Sequence, residues 1–118
     1  MKKVLICDDA LAMRLIMKKQ IENMGHEVVG QAQDGEEAVA MYKEFKPDVV
    51  TMDITMPKKT GIEALKEIVA FDSGANVIMV SAMGQEDRVK ESILSGAKNF
   101  VVKPFTPEKL EEVINKIK

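Results

Sequence analysis

Short apolar runs alternate with stretches of helical periodicity along the whole chain, and this alternation constrains the fold more than any other feature. The runs are short, rich in β-branched residues and bounded by polar residues or glycine, which favours strands. They are Val4-Leu5-Ile6-Cys7, Val28-Val29, Val49-Val50-Thr51-Met52, Val77-Ile78-Met79-Val80 and Phe100-Val101-Val102. Four of them are continuously apolar, as expected for a parallel sheet covered on both faces. Gly30 and Gln31 follow the second run closely, so we place it near an edge of the sheet.

Apolar residues recur at helical spacing between these runs. Four stretches carry a stripe of such residues: Met13, Ile16, Met17, Ile21 and Met24, ended by Gly25; Ala38, Met41, Tyr42 and Phe45; Ile62, Leu65, Ile68 and Val69; and Leu110, Val113, Ile114 and Ile117. Thr106 and Pro107 predict the N-cap and the first residue of the last helix. Residues from about 85 to 95 offer only Val89, Ile93 and Leu94. We therefore expect this helix to pack weakly and to be mobile.

Five strands alternating with five helices predict an α/β fold, a five-stranded parallel sheet with helices on both faces. A length of 118 residues allows one domain, which we expect over residues 1–118 with no output domain. A net charge of −2 argues against a dedicated nucleic-acid-binding protein. The single cysteine, Cys7, suits a reducing compartment, and no signal peptide or membrane-spanning apolar run is present in the sequence. We expect a cytoplasmic protein without membrane or nucleic-acid partners.

Polar side chains follow four of the predicted strands: Asp8-Asp9, Asp53, Ser81 and Lys103-Pro104. Singly, each could be a helix cap, a turn residue or a solvated charge. Ligands bind such sheets beyond the carboxyl ends of the strands, where these residues would meet. Carboxylates about 5 Å apart repel by about 3 kcal/mol at an effective dielectric near 20, so three of them need a counter-charge. Their oxygens suit Mg²⁺, and an aspartate can act as a nucleophile toward phosphorus. Lys103 and Mg²⁺ would neutralise the phosphoryl oxygens, to which Ser81 could donate a hydrogen bond.

The array Asp8-Asp9, Asp53, Ser81-Ala82 and Lys103-Pro104-Phe105 resembles the signature of two-component response-regulator receivers, in particular their stand-alone chemotaxis members. The resemblance covers the whole chain and implies a flavodoxin-like strand order, 2-1-3-4-5. It implies that Asp53 accepts a phosphoryl group from the phosphohistidine of a sensor kinase. It also implies that Mg²⁺ is held by Asp8, Asp9, Asp53 and the backbone carbonyl of Thr55. Lys103 would pair with the phosphoryl group, and the peptide bond between Lys103 and Pro104 would be cis.

Ser81 and Phe100 match the switch pair of this family, in which the hydroxyl moves toward the phosphate and the ring turns inward. The fourth helix, fifth strand and fifth helix are then expected to bind partners. The partners implied are a CheA-type histidine kinase, a flagellar motor switch protein and a CheX- or CheC-type phosphatase. Thr55 and Met83 flank the face from which water would attack the phospho-aspartate, and neither carries a carboxylate or an amide. We hypothesise slow self-dephosphorylation in a monomer that catalyses only its own phosphorylation and dephosphorylation.

Three other functions remain open at this point. A phosphorelay intermediate passing phosphate to a histidine phosphotransfer protein would use the same residues. A Mg²⁺-dependent phosphatase with an aspartyl-phosphate would normally need a second aspartate where Thr55 stands, and a larger substrate cap. A flavodoxin-like electron carrier would share the fold, but the chain has no Trp, one Tyr and no Gly-rich phosphate loop.

Overall fold

The protein forms a single five-stranded parallel sheet in the order β2-β1-β3-β4-β5, which confirms the predicted fold and strand order. A computed structural model describes residues 1–117. The elements are β1 Lys3–Cys7, α1 Leu11–Asn23, β2 Glu27–Ala32, α2 Gly35–Phe45, β3 Val49–Asp53, α3 Gly61–Phe71, β4 Val77–Ser81, α4 Glu86–Leu94, β5 Asn99–Val102 and α5 Pro107–Asn115. As predicted, β2 lies at an edge. Lys118, the last residue of the domain predicted over residues 1–118, lies outside the described residues.

The central strands are buried on both faces, which explains their continuously apolar sequences. Successive residues point to opposite faces, so Leu5 packs toward α2, α3 and α4 whereas Ile6 packs toward α1 and α5. Met79 and Ile78 of β4 divide in the same way. The core therefore consists of two apolar layers, one on each face of the sheet.

Three helices begin at capped N-termini close to the carboxyl edge of the sheet. Asp34 caps α2 by accepting from the Glu37 N–H, and Thr60 caps α3 in a reciprocal capping box with Glu63. The predicted cap of α5 is confirmed, because Thr106 accepts from the Lys109 N–H. The longest helix, α1, has 13 residues, and no helix in the described chain is long and apolar enough to cross a membrane.

Three apolar stripes are narrower than the sequence predicted. Ile16 of α1 is 52% exposed, and Phe45 at the end of α2 is 40% exposed. On α4, Ile93 and Leu94 are 43% and 79% exposed, and the buried residue is Ser92. The thin apolar stripe expected for this helix is thinner still, because α4 turns the side that carries Val89 toward the core and leaves Ile93 and Leu94 exposed. As expected, α4 buries little apolar surface.

Candidate functional site

The carboxyl ends of β1, β3, β4 and β5 meet at one edge of the sheet and bring the predicted site residues together. Asp8 follows β1, Asp53 ends β3, Ser81 ends β4 and Lys103 follows β5. Neighbouring strands in this set are hydrogen-bonded in parallel, so their ends lie side by side. The juxtaposition follows from the strand order and not from any local sequence proximity.

Three carboxylates converge at this edge. Asp8, Asp9 and Asp53 each offer one oxygen, and these oxygens all lie within 4.8 Å of one another. Asp8 is 1% exposed and Asp53 is 9% exposed, whereas Asp9 faces solvent. A set of carboxylate oxygens open to solvent on one side fits a hard cation such as Mg²⁺, which keeps part of its water shell.

Lys103 supplies the cation that the structure places among these carboxylates. Its Nζ lies 3.1 Å from Asp8 Oδ2 and 3.4 Å from Asp53 Oδ2. Its backbone N–H donates to the Ser81 carbonyl at 2.7 Å, and its peptide bond to Pro104 is cis. Burial alone would lower the pKa of Lys103, but Asp53 and Asp8 raise it above its ordinary value. Lys103 is therefore fully charged at neutral pH.

The surroundings of Asp53 disfavour its negative charge. Burial raises the pKa of Asp53, Lys103 opposes that rise, and the nearby Asp8 carboxylate adds to it. The Thr55 N–H donates to Asp53 Oδ1 at a long 3.4 Å, which also favours the charged form. The balance is a raised pKa, because one ammonium does not offset the desolvation and repulsion of the carboxylates. An additional cation in the pocket would therefore stabilise the charged form of Asp53.

Replacing Asp53 by asparagine is expected to stabilise the metal-free protein by about 1 kcal/mol, or about 4 °C in Tm. The amide keeps the shape of the side chain and removes one of the repelling carboxylates, although it also gives up the attraction of Lys103. Thermal unfolding in EDTA measures the difference. Asp87→Asn, at an exposed position in the first turn of α4, is the control and should leave Tm unchanged or slightly lower. A lower Tm for Asp53→Asn would contradict this description of the pocket.

The remaining predicted residues lie at the end of β4, on β5 and in the loops that follow β3 and β4. Ser81 is 1% exposed, and its Oγ donates to the Val101 carbonyl at 3.4 Å. Phe100 is 38% exposed and lines, with Ser81 and Met83, a largely apolar cavity of about 320 Å³ between α4 and β5. Met83 is 77% exposed, and Thr55 lies exposed just beyond Asp53. Ser81, which is buried, and Phe100, which is partly exposed, therefore lie on adjacent strands, β4 and β5, and line the same cavity.

Three residues that the sequence analysis missed hold the loops of the site. Arg14 Nη1 donates to the Asp8 carbonyl at 2.7 Å, and the Gly61 N–H donates to the Ile54 carbonyl at 2.7 Å. Gln85 bonds to residues of two different loops. Arg14 and Gln85 look like ordinary solvated residues in sequence. Gly61 did offer a signal, because glycine is a poor helix former and here follows directly on a threonine cap.

The chain is similar to known proteins over nearly its whole length. The family model described as response regulator receiver domain matches residues 4–115. The chemotaxis protein CheY of Thermotoga maritima is 54% identical over 116 residues, which cover 98% of this chain and 97% of that protein. The chemotaxis protein CheY of Bacillus subtilis is 52% identical over 114 residues, covering 97% of this chain and 95% of that protein. The crystal structure of the CheX-CheY-BeF₃-Mg²⁺ complex from Borrelia burgdorferi contains a chain with 41% identity and a TM-score of 0.93; the match covers 98% of this chain and 87% of that chain.

Proposed function

The chain belongs to the response regulator receiver domain family, and on that premise we propose that it is a cytoplasmic chemotaxis regulator switched by phosphorylation of Asp53. Receiver domains are regulators of two-component systems and not conventional enzymes. The catalysis proposed here is confined to phosphorylation and dephosphorylation of the chain itself. The observation that carries the proposal is the position of Lys103 Nζ between Asp8 and Asp53, 3.1 and 3.4 Å from their carboxylates. The relatives named chemotaxis protein CheY support the pathway.

Mg²⁺ is the proposed cofactor, with Asp8, Asp9, Asp53 and the backbone carbonyl of Thr55 as its protein ligands. The closeness of the three carboxylates supports this set, as does the Mg²⁺ named with the Borrelia burgdorferi complex. When bound, the ion supplies positive charge to the oxygens of a phosphoryl group. The chain itself holds the receiving carboxylate in place and presents it at an open edge of the sheet.

Asp53 is the proposed nucleophile toward a phosphohistidine on a CheA-type kinase. One carboxylate oxygen forms the new P–O bond while the P–N bond breaks, and the histidine nitrogen keeps the electron pair. Transfer of this kind depends mainly on positioning and charge neutralisation. Lys103 is already within reach of Asp53 and would pair with the transferred group. Ser81 would donate a hydrogen bond from its hydroxyl to a phosphoryl oxygen.

The proposed output runs from Ser81 to the surface formed by α4, β5 and α5. The hydrogen bond from Ser81 Oγ to Val101 is long at 3.4 Å, so the hydroxyl loses little when it turns toward a phosphate. Phe100 lines the cavity beside Ser81 and could turn into space that the serine leaves. Ile93 and Leu94 add exposed apolar area to α4. A flagellar motor switch protein is the proposed target, and a CheX- or CheC-type phosphatase would end the signal.

Amide hydrogen exchange tests this switch. Mg²⁺ with BeF₃⁻, a stable mimic of the phosphoryl group, should change the protection of residues 82–100 in the wild type. The Asp53→Asn variant, treated in the same way, is the control and should show no change. Equal protection of residues 82–100 with and without the mimic would contradict the proposed output.

Introducing an amide and a carboxylate at the two positions beside Asp53 should accelerate the loss of phosphate. Thr55→Asn combined with Met83→Glu would place groups that orient a water molecule on the open side of the phospho-aspartate. The decay of the phosphorylated protein, followed after removal of the phosphodonor, should be severalfold faster than in the wild type. A matched double variant, Thr55→Val with Met83→Leu, offers no such groups and should decay slowly. An unchanged rate in the Asn/Glu variant would contradict the hypothesis.

A further inference from the structure

Gln85 connects the two loops that flank Asp53. Its Oε1 accepts from the Ala82 N–H at 2.7 Å, in the loop between β4 and α4. Its Nε2 donates to Thr55 Oγ1 at 3.1 Å, in the loop between β3 and α3. The Ala82 N–H can only donate, which fixes the orientation of the carboxamide. One side chain therefore satisfies a backbone donor in one loop and a hydroxyl in the other.

The bridge takes the place of a helix cap. Gln85 occupies the N-cap position of α4, yet its side chain makes no capping hydrogen bond to the first turn of that helix. Gly84, with φ of +89°, turns the chain so that Gln85 folds back on Ala82. A left-handed φ of this kind is readily adopted by glycine. The Gln85 side chain thus forms the bridge and leaves the first turn of α4 without a side-chain cap.

The two anchors of the bridge lie beside the elements of the proposed switch. Ala82 directly follows Ser81, and Thr55 donates its backbone N–H to Asp53. The helix that the bridge holds buries little apolar surface of its own, with Ser92 as its buried residue. Because Gln85 ties the loop after β4 to Thr55, a displacement of that loop relative to the loop after β3 would break the bond between Gln85 and Thr55.

We propose that the Gln85 carboxamide is a latch that holds the loop after β4, and with it α4, in the unphosphorylated conformation. The latch rests on the proposed function, since it presupposes that this loop moves on phosphorylation. The free energy of its two hydrogen bonds opposes that movement. Removing it shifts the population toward the active conformation and raises the affinity for any ligand that selects that conformation.

Calorimetric titration with BeF₃⁻ in saturating Mg²⁺ tests the latch. Gln85→Ala should bind BeF₃⁻ about 3- to 10-fold more tightly than the wild type, the range expected for a net loss of one hydrogen bond from the inactive state. Gln33→Ala is the matched control. This side chain is exposed and bonds to Glu37 within its own segment, so its loss should leave the affinity unchanged.

A double-mutant cycle separates the latch from a general loosening of the loop. Thr55→Val removes one anchor of the bridge and should give a smaller gain, and Gln85→Ala should add less in that background than in the wild type. The latch would be overturned, and the proposed function left intact, if Gln85→Ala bound BeF₃⁻ no more tightly than the wild type. The same holds if the affinity gains of Gln85→Ala and Thr55→Val simply multiplied in the double variant. Failure of the wild type itself to bind BeF₃⁻ with Mg²⁺ would overturn the proposed function and the latch together.

Discussion

Replacing Lys103 by alanine is expected to lower the free energy of unfolding by about 3 kcal/mol at neutral pH. The substitution removes the ammonium that lies 3.1 Å from Asp8 and 3.4 Å from Asp53. Asp8 is almost completely buried, so its carboxylate would be left without its cation and away from water. Removing one partner of a buried pair is more damaging than the pair itself is stabilising, since the remaining charge keeps its desolvation penalty. Urea-induced unfolding in EDTA measures the loss.

The loss of unfolding free energy in the Lys103→Ala variant, relative to the wild type, should grow as the pH rises. Lys103 opposes the rise that burial imposes on the pKa of Asp53, so its removal raises that pKa further. A carboxyl whose pKa is higher in the folded state than in the unfolded state loses stability as the pH rises through the folded pKa. The difference from the wild type should therefore be small in acid, where Asp53 is protonated in both states, and largest near neutral pH.

Lys66→Ala is the matched control for this prediction. Lys66 Nζ lies 3.2 Å from Glu91 Oε2, a distance close to that between Lys103 and Asp8, but both side chains are about half exposed. Solvent screens such a pair, and its loss should lower the free energy of unfolding by at most about 1 kcal/mol. Equal losses in the two variants would mean that the charge of Lys103 is no more important to the fold than a surface charge.

Replacing Gly61 by alanine is expected to destabilise the protein by about 3 kcal/mol and to disturb the position of Asp53. A Cβ at position 61 would overlap the carbonyl oxygen of Asp53 and press on the backbone of Ile54. The Gly61 N–H donates to the Ile54 carbonyl at 2.7 Å, so the start of α3 lies directly against the end of β3. Backbone atoms cannot move aside as a flexible side chain can. The end of β3, and with it the Asp53 carboxylate, must shift.

Gly74→Ala provides the comparison, because a Cβ there would meet only the Asp72 side chain, at 3.5 Å. This substitution should leave stability unchanged or raise it by up to about 1 kcal/mol, since alanine restricts the unfolded chain. Urea unfolding measures both variants, and two-dimensional NMR of the Asp53 amide reports the displacement. A Gly61→Ala variant as stable as Gly74→Ala, with the Asp53 resonance unmoved, would contradict the close contact between β3 and α3.

The main features of the fold could be predicted because they depend on periodicity. Continuous apolar runs such as Val77 to Val80 predicted the buried strands. Thr106 predicted the start of α5, and Gly25 predicted the end of α1, to within a residue or two. The meeting of Asp8, Asp53 and Lys103 at one edge also followed, since parallel strands align their carboxyl ends. These inferences needed only local patterns and a rule of topology.

The remaining details depend on tertiary contacts that leave no local pattern. Ile93 and Leu94 are apolar at helical spacing but exposed, because the rotation of α4 is set by what it packs against and not by its own sequence. Arg14 donates to the Asp8 carbonyl, and Gln85 bridges Ala82 and Thr55. No local sequence pattern shows that these groups come together in the fold. From sequence alone, a single polar residue on a helix or in a loop is expected to face solvent, because nothing indicates its hydrogen-bond partner.

Mass spectrometry of the intact protein, after incubation with acetyl phosphate and Mg²⁺, tests most directly whether the acidic edge of the sheet makes Asp53 a phosphoryl acceptor. The wild type should gain the mass of one phosphoryl group in the presence of Mg²⁺, and peptide mapping should locate it on Asp53. Asp53→Asn should gain none, and EDTA should prevent labelling of the wild type. Labelling of Asp53→Asn equal to that of the wild type, or labelling of the wild type that EDTA does not reduce, would contradict the account.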